Sequence, residues 1–377
     1  MAKKSKHKFV KCKNNPKFLV DTAFMDEKTK YDQEKVSNYP GHEKYGFMKV
    51  TGDNFSEIAF VNFTDPHFFG DGFDDERCSL ALDWIRNVAN ARAVFGGDVF
   101  DIASLSGKTD PHQSILNNAD SLDLAGSNAY IGKIADKTIC GIGGNHDAAY
   151  ANRLRDTGIS PLKHVLEKFG IQYFEYSALI QMRIGEHNYN VLLAHTGAGR
   201  APLDGGIKYA LEFSSRTGIR IDALFLGHNH ISAHGVFPCQ YKNYDENGKL
   251  LGVLDHQIQV LVDPSFQGEN EHFLSTNIDR PNTNACVTVL SERPNPFYNS
   301  EDNRSTPYVL CVKRFPLLNE NSNEYSLPAI KYMIQMEDKS PTILKEVKEL
   351  LDTKEAKTKI HASTEMLKTL AKKTGGK

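Results

Sequence analysis

Several things are scarce in this chain, and each scarcity excludes a class of protein. It has one tryptophan and six cysteines in 377 residues. Cys12, Cys78, Cys140, Cys239, Cys286 and Cys311 are scattered, and no two make a C-x-x-C. That excludes a zinc ribbon or a dithiol redox pair. Thiols placed partly within apolar runs of a long chain read as buried cysteines of a reducing compartment, and the expected localisation is cytoplasmic. No stretch approaches the roughly 20 apolar residues of a membrane span, so no membrane partner is expected. Met1-Ala2-Lys3-Lys4-Ser5-Lys6 leads into no apolar segment, so no secretory signal is expected. Charge of one sign is lacking as well: 45 basic against 47 acidic residues leave a net charge of −2, which implies no acidic partner. No G-x-S-x-G occurs and no cysteine is followed six residues later by arginine, which removes a serine-hydrolase elbow and a cysteinyl phosphatase. Gly107-Lys108-Thr109 looks like the end of a phosphate loop, but Ile102 stands where its first glycine belongs.

What is present is the composition of a soluble globular protein, 40% apolar and 24% charged. The length suits one large domain, or one with an appendage. Residues 1–45 read as a basic, irregular N-terminal arm, 46–336 as the main domain and 337–377 as a lysine-rich helical tail. Tyr45–Val50 and Ser56–Phe63 flank Thr51-Gly52-Asp53-Asn54 and read as a hairpin or β-turn–β unit. A helix is expected over Arg77–Arg92, with Leu80, Trp84, Ile85 and Val88 on one face. Strands are expected at 93–95 and 138–142, a helix at 161–169, a hairpin of 178–184 with 189–194, a helix at 206–215 and a strand at 221–226. Alternating strands and helices predict an α/β layered fold. Past residue 232 the pattern is β-rich, and residues 233–336 read as strands completing a sandwich or forming a cap. Ser340-Pro341 opens a further helix.

Five of the apolar runs stop in the same way. Each is followed within two residues by side chains able to hold a metal: Asp65/His67, Asp98/Asp101, Asn145/His146/Asp147, His195 and His228/His230. In an α/β sheet, side chains at the carboxyl ends of strands line the crevice where ligands bind. In Asp65-Pro66-His67 and His228-Asn229-His230, residues i and i+2 of an extended backbone point the same way, so each pair could clasp one ion. Carboxylates mixed with imidazoles suit manganese, iron or zinc better than calcium or magnesium. Each motif alone has an ordinary reading: Gly-Gly-Asn is turn chemistry, and a lone histidine is more often hydrogen-bonded than ligating. It is their joint occurrence, in order, that argues for a site.

Asp65-x-His67, Gly97-Asp98-x-x-Asp101, Gly144-Asn145-His146-Asp147, His195 and Gly227-His228-x-His230 together resemble the ordered signature of the calcineurin-like metallophosphoesterases, over roughly residues 56–232. The resemblance implies a two-sheet β-sandwich flanked by helices, with a β-rich C-terminal extension. It implies two divalent ions, manganese first with iron or zinc as alternatives. Asp65, His67 and His230 would hold one ion, Asn145, His195 and His228 the other, and Asp98 would bridge them. It further implies a metal-bridging hydroxide as the attacking group, His146 as proton donor to the leaving group, Asp147 and Asp101 in supporting roles, and no protein nucleophile. Arg200 could clamp a phosphate, or form a surface ion pair.

The expected activity is therefore hydrolysis of phosphate esters, tilted by the lysine-rich ends toward nucleotide or nucleic-acid diesters, DNA or RNA. A phosphomonoesterase or protein phosphatase, and a non-catalytic scaffold on the same fold, are the alternatives; the fold does not choose among them. Nothing in the residues indicates an oligomeric state.

Overall fold

The computed structural model describes residues 9–12, 15–21, 45–51, 56–70, 72–100, 123–147, 160–175, 177–195, 201–244, 250–267, 284–296, 298, 306–320 and 322–337. Its strands are β1 Phe9–Cys12, β2 Asn15–Asp21, β3 Tyr45–Thr51, β4 Glu57–Phe63, β5 Ala91–Phe95, β6 Thr138–Ile142, β7 Gln172–Phe174, β8 Ser177–Ile184, β9 His187–Ala194, β10 Ala223–Leu226, β11 Ala233–Tyr244, β12 Leu250–Val262, β13 Cys286–Pro294 and β14 Tyr308–Pro316. Its α-helices are α1 Asp75–Asn87, α2 Pro161–Lys168, α3 Pro202–Thr217 and α4 Leu327–Glu337.

The strands form two sheets, one ordered β1-β2-β3-β8-β9-β10-β12-β11 and the other β14-β13-β4-β5-β6-β7. In the first, β9, β10 and β12 run parallel. In the second, β4, β5, β6 and β7 run parallel. Up to Ala329 the chain is thus an α/β two-sheet sandwich, with α1, α2 and α3 on its outer faces. Its centre follows from the two-residue alternation of strand side chains. Ile58 and Phe60 of β4 meet Ala223 and Phe225 of β10 in one inter-sheet cluster, with the Phe60 and Phe225 rings 4.6 Å apart. The intervening Leu224 and Leu226 face the other way, into a second cluster with Ala210, Leu203 and Ile207 of α3.

Several elements depart from the sequence reading. The expected hairpin of 45–50 with 56–63 does not form: β3 pairs with β2 and β8, while β4 pairs with β5 and β13 in the other sheet. A short polar connection permits a hairpin, but long-range pairing with β8 and β13 decides. The arm read as irregular contains β1 and β2, which extend the eight-stranded sheet; the rest of residues 1–45 falls outside the described residues, apart from Tyr45 in β3. Helix α1 stops at Asn87 rather than Arg92. Val88 is extended, and Lys137 Nζ donates to the freed carbonyls of Ile85 and Val88. At its start, Asp74 accepts from Arg77 N–H, as a capping carboxylate does. The β-rich segment past 232 is no separate cap: β11 and β12 join the eight-stranded sheet and β13 and β14 the six-stranded one. The helices expected past residue 339 lie outside the described residues. Residues up to Ala329 form one compact unit, and Ile330–Lys377 a second, of which 330–337 are described. No described helix is long and apolar enough to cross a membrane.

Phe225 is fully buried against Phe60 between the sheets. Phe225→Ala is expected to cost about 3–5 kcal/mol, read as a lowered midpoint in urea unfolding; a change within measurement error would contradict this placement of the core.

Candidate metal centre

Parallel strands bring their carboxyl ends to one edge. β4, β5 and β6 do so from one sheet, and β9 and β10 from the other, so all five segments singled out in the sequence meet at one rim. Two overlapping sets of metal-competent atoms result, each with its atoms within 4.8 Å of one another: Asp65, His67 and His230, and Asp65, Asp98, His195 and His228. Asp65 belongs to both sets. Asp98, which the resemblance places between two ions, belongs to one. Asn145 follows Gly144 at the end of β6, and its side chain is exposed. His146 is half-buried, with its ring edge-on to His67 at 4.9 Å and its backbone N–H donating to Asp98 Oδ1 at 2.7 Å. Asp147 is buried, and its Oδ2 accepts from Gly144 N–H at 3.0 Å. Asp101 and Arg200 lie outside the described residues.

The backbone at these positions is unusual. Six non-glycine residues among those described have positive φ: Asp65, His67, Phe69, Asp98, His228 and His230. Such conformations cost a non-glycine residue about 1 kcal/mol or more and cluster at functional sites. They also correct the expectation of extended i, i+2 pairs. Asp65 and His67, with φ of 50° and 46°, and His228 and His230, with 81° and 54°, converge through left-handed turns instead.

Glycines beside the site make room. A Cβ on Gly227 would overlap Thr64 Oγ1 and stand 2.8 Å from His195 Nδ1. One on Gly97, whose φ is +96°, would stand 2.5 Å from the same nitrogen. One on Gly144 would overlap the Asp98 carboxylate. These glycines therefore let backbone approach the chemistry-bearing side chains more closely than any other residue permits.

Charge is concentrated here. Asp65 and Asp98 are both buried. Burial by itself raises the Asp65 pKa, but the charges of His195 and His230 outweigh it and hold the carboxyl far below its usual range. For Asp98 burial is again outweighed, chiefly by His195, and the value falls to about 2. Burial would lower His195, yet Asp98 and Asp65 raise it to about 10. Asp147 goes the other way: burial, reinforced by the charge of Asp98, lifts it to about 7. His228 is lowered by burial and by the charge of His195. Asp65 Oδ2 accepts from His228 N–H at 2.7 Å and from the Thr64 hydroxyl. Its Oδ1 is buried without a well-formed hydrogen bond; the nearest ring nitrogens are His230 Nε2 at 3.2 Å and His195 Nε2 at 3.7 Å. Two buried carboxylates ringed by four imidazoles, with one oxygen left unsatisfied, suit a divalent cation. A cation held by these atoms would take the place of the proton on His195.

The sequence reading missed a sixth contribution to the rim. β12 runs parallel to β10 and ends at Val262. Asp263-Pro264-Ser265 follows it, with the spacing of Asp65-Pro66-His67. Asp263 Oδ2 accepts from Asn62 Nδ2 at 3.0 Å, and Oδ1 pairs with Arg314 at 2.5 Å. The apolar run before an Asp-Pro was the available signal; the absence of a histidine hid it. A cavity of about 560 Å³ lies away from the rim, lined by Pro238, Asp255, Gln257, Arg293 and Asn295 among others. Gln257 precedes the end of β12 by five residues, on the side away from the rim.

No family model matches the chain, and no curated protein does. Among solved structures it is similar to a calcineurin-like phosphoesterase, YfkN, from Bacillus subtilis, at 13% identity and a TM-score of 0.32, over 75% of this chain and 97% of that one. It is also similar to a 5'-nucleotidase from Candida albicans SC5314, at 12% identity and a TM-score of 0.35, over 76% of this chain and 59% of that one. With TM-scores this low, neither likeness carries the functional reading, which rests on the site itself.

Gly227→Ala is expected to weaken divalent-cation binding at least tenfold, measured by calorimetric titration with Mn2+ as the probe ion, while far-UV circular dichroism stays unchanged. Binding equal to the unaltered protein would show that the close approach of Gly227 to His195 and Thr64 is not required.

Proposed function

We propose that the protein is a dinuclear metal-dependent phosphoesterase, with a tilt toward phosphodiesters of nucleotides or nucleic acids. The observation that carries the reading is the convergence, on strained backbone, of two overlapping sets of metal-competent atoms that share Asp65.

Asp65, His67 and His230 would hold one cation. Asp98, His195 and His228, joined by Asn145, would hold the other. Manganese is the ion we favour, since oxygen and imidazole donors are mixed; iron and zinc share that chemistry. Two such cations, when bound, supply Lewis-acid charge to phosphoryl oxygens and acidify water.

The chain's own residues then have distinct tasks. His146 stands beside His67 without belonging to either set. Its imidazole suits donation of a proton to a leaving oxygen near neutral pH. The bond from the His146 backbone N–H to Asp98 Oδ1 fixes the residue's place beside that carboxylate. Asp147, accepting from Gly144 N–H, braces the turn that carries Asn145 and His146. Arg200 is proposed to contact a substrate phosphate. The lysine-rich ends support the tilt toward nucleic acid, because lysines near a phosphodiester backbone add salt-dependent affinity.

The test is a panel of single- and double-stranded DNA, RNA, cyclic nucleotides, phosphoproteins and small monoesters, assayed with Mn2+ for the unaltered protein and for His146→Ala. We expect hydrolysis of at least one diester, a loss of about a hundredfold or more in kcat for His146→Ala, and unchanged Mn2+ stoichiometry. Equal turnover by the variant would reject the proton-donor role. Two ions bound with no turnover of any substrate would favour a binding module on this fold.

A further inference from the structure

The contribution of β12 to the rim has two parts with different fates. Asp263 serves the frame: beyond its pairing with Asn62 and Arg314, its N–H donates to Leu226 O at 3.0 Å. Ser265 serves the site. It is fully buried, and its Oγ lies 3.0 Å from His230 Nδ1 and accepts from Gln267 N–H at 3.2 Å. Across the same ring, His230 Nε2 faces Asp65 Oδ1 at 3.2 Å.

We infer that Ser265 is a positioning residue for His230: it holds the ring with Nε2 toward the rim and lets either ring nitrogen carry the proton. The inference rests on the two-metal reading above and deepens it. A neutral imidazole has one donor and one acceptor nitrogen. For Nε2 to offer a lone pair to a cation, the proton must sit on Nδ1, which then donates to Ser265 Oγ. For Nε2–H to donate to Asp65 instead, the hydroxyl must donate to Nδ1. A hydroxyl can do either, by rotation alone. A carboxylate or carbonyl in its place only accepts, and would favour one tautomer. Gln267 N–H occupies one lone pair of Oγ in both cases, leaving the second lone pair and the hydroxyl hydrogen for His230. The ring thus keeps its place whether Nε2 faces a carboxylate or a cation.

The experiment uses the full chain and Ser265→Ala, with Mn2+ titrated by calorimetry and by electron paramagnetic resonance of the free ion. We expect one of two sites to weaken about tenfold or more, and the other to change less than twofold. Far-UV circular dichroism should be unchanged. A second measurement reads the ring directly: 15N-histidine spectra of the Zn2+-loaded protein should show a slowly exchanging Nδ1–H on His230 in addition to that of the buried His195 ring, whose Nδ1 faces Gly96 O at 2.8 Å, and Ser265→Ala should remove the His230 protection alone. Two sites of unaltered affinity in Ser265→Ala, or no slow Nδ1–H on His230 in the loaded unaltered protein, would overturn the inference and leave the two-metal reading standing. Absence of Mn2+ binding to the unaltered protein would overturn both.

Discussion

Asp65 and Asp98 lie buried side by side at the rim where strand ends of the two packed sheets converge, and the surrounding architecture answers that one electrostatic demand. A carboxylate out of water is costly unless it is paired, and two within reach of one ring nitrogen are costlier still. His195 Nε2 stands 3.0 Å from Asp98 Oδ2 and 3.7 Å from Asp65 Oδ1. Backbone N–H groups of His228 and His146 add fixed donors to the same two carboxylates. A site so rich in negative charge and imidazole, built into a sandwich edge, attracts cations by its composition.

Holding those groups together requires backbone that most residues avoid. Asp65, His67, Asp98, His228 and His230 all sit in left-handed conformations. Gly97, Gly144 and Gly227 leave space that any side chain would fill. Such strain persists only where surrounding structure over-determines it. The inter-sheet cluster of Phe60, Phe225 and their neighbours does so from below, and the Asn62–Asp263–Arg314 network ties β4, the end of β12 and β14 together beneath the rim. Stability and the site are therefore coupled here: the core keeps the strand ends in register, and the strand ends carry the metal-competent groups.

The division of labour among the rim residues follows the same logic. Some side chains face its interior, some brace a turn as Asp147 does, and Ser265 touches a ring from behind. Phosphoryl transfer, the activity proposed above, would ask little covalent chemistry of the protein and much positioning of charge, and buried charge held in fixed positions is what the rim offers. The fold alone does not select among substrates.

The chemistry-bearing residues were legible in the chain because apolar runs ending in Asp, Asn or His are local patterns, repeated five times. Most of helix α1 and the pairing of β8 with β9 were similarly local, since helical periodicity and hairpin pairing act between near neighbours. Local pattern could not show that β3 and β4 part into different sheets, that β11–β14 divide between those sheets, or that the pairs at 65/67 and 228/230 turn through left-handed backbone. Those outcomes depend on contacts between residues far apart: β4 with β13, β12 with β10, Gly227 with Thr64 and His195. Ser265 is the clearest case. A serine after a strand is unremarkable by itself, and only the parallel register of β12 beside β10 brings its hydroxyl to His230. Residue identity determined which atoms could bind a cation; the packing of one sheet on the other decided which of them meet.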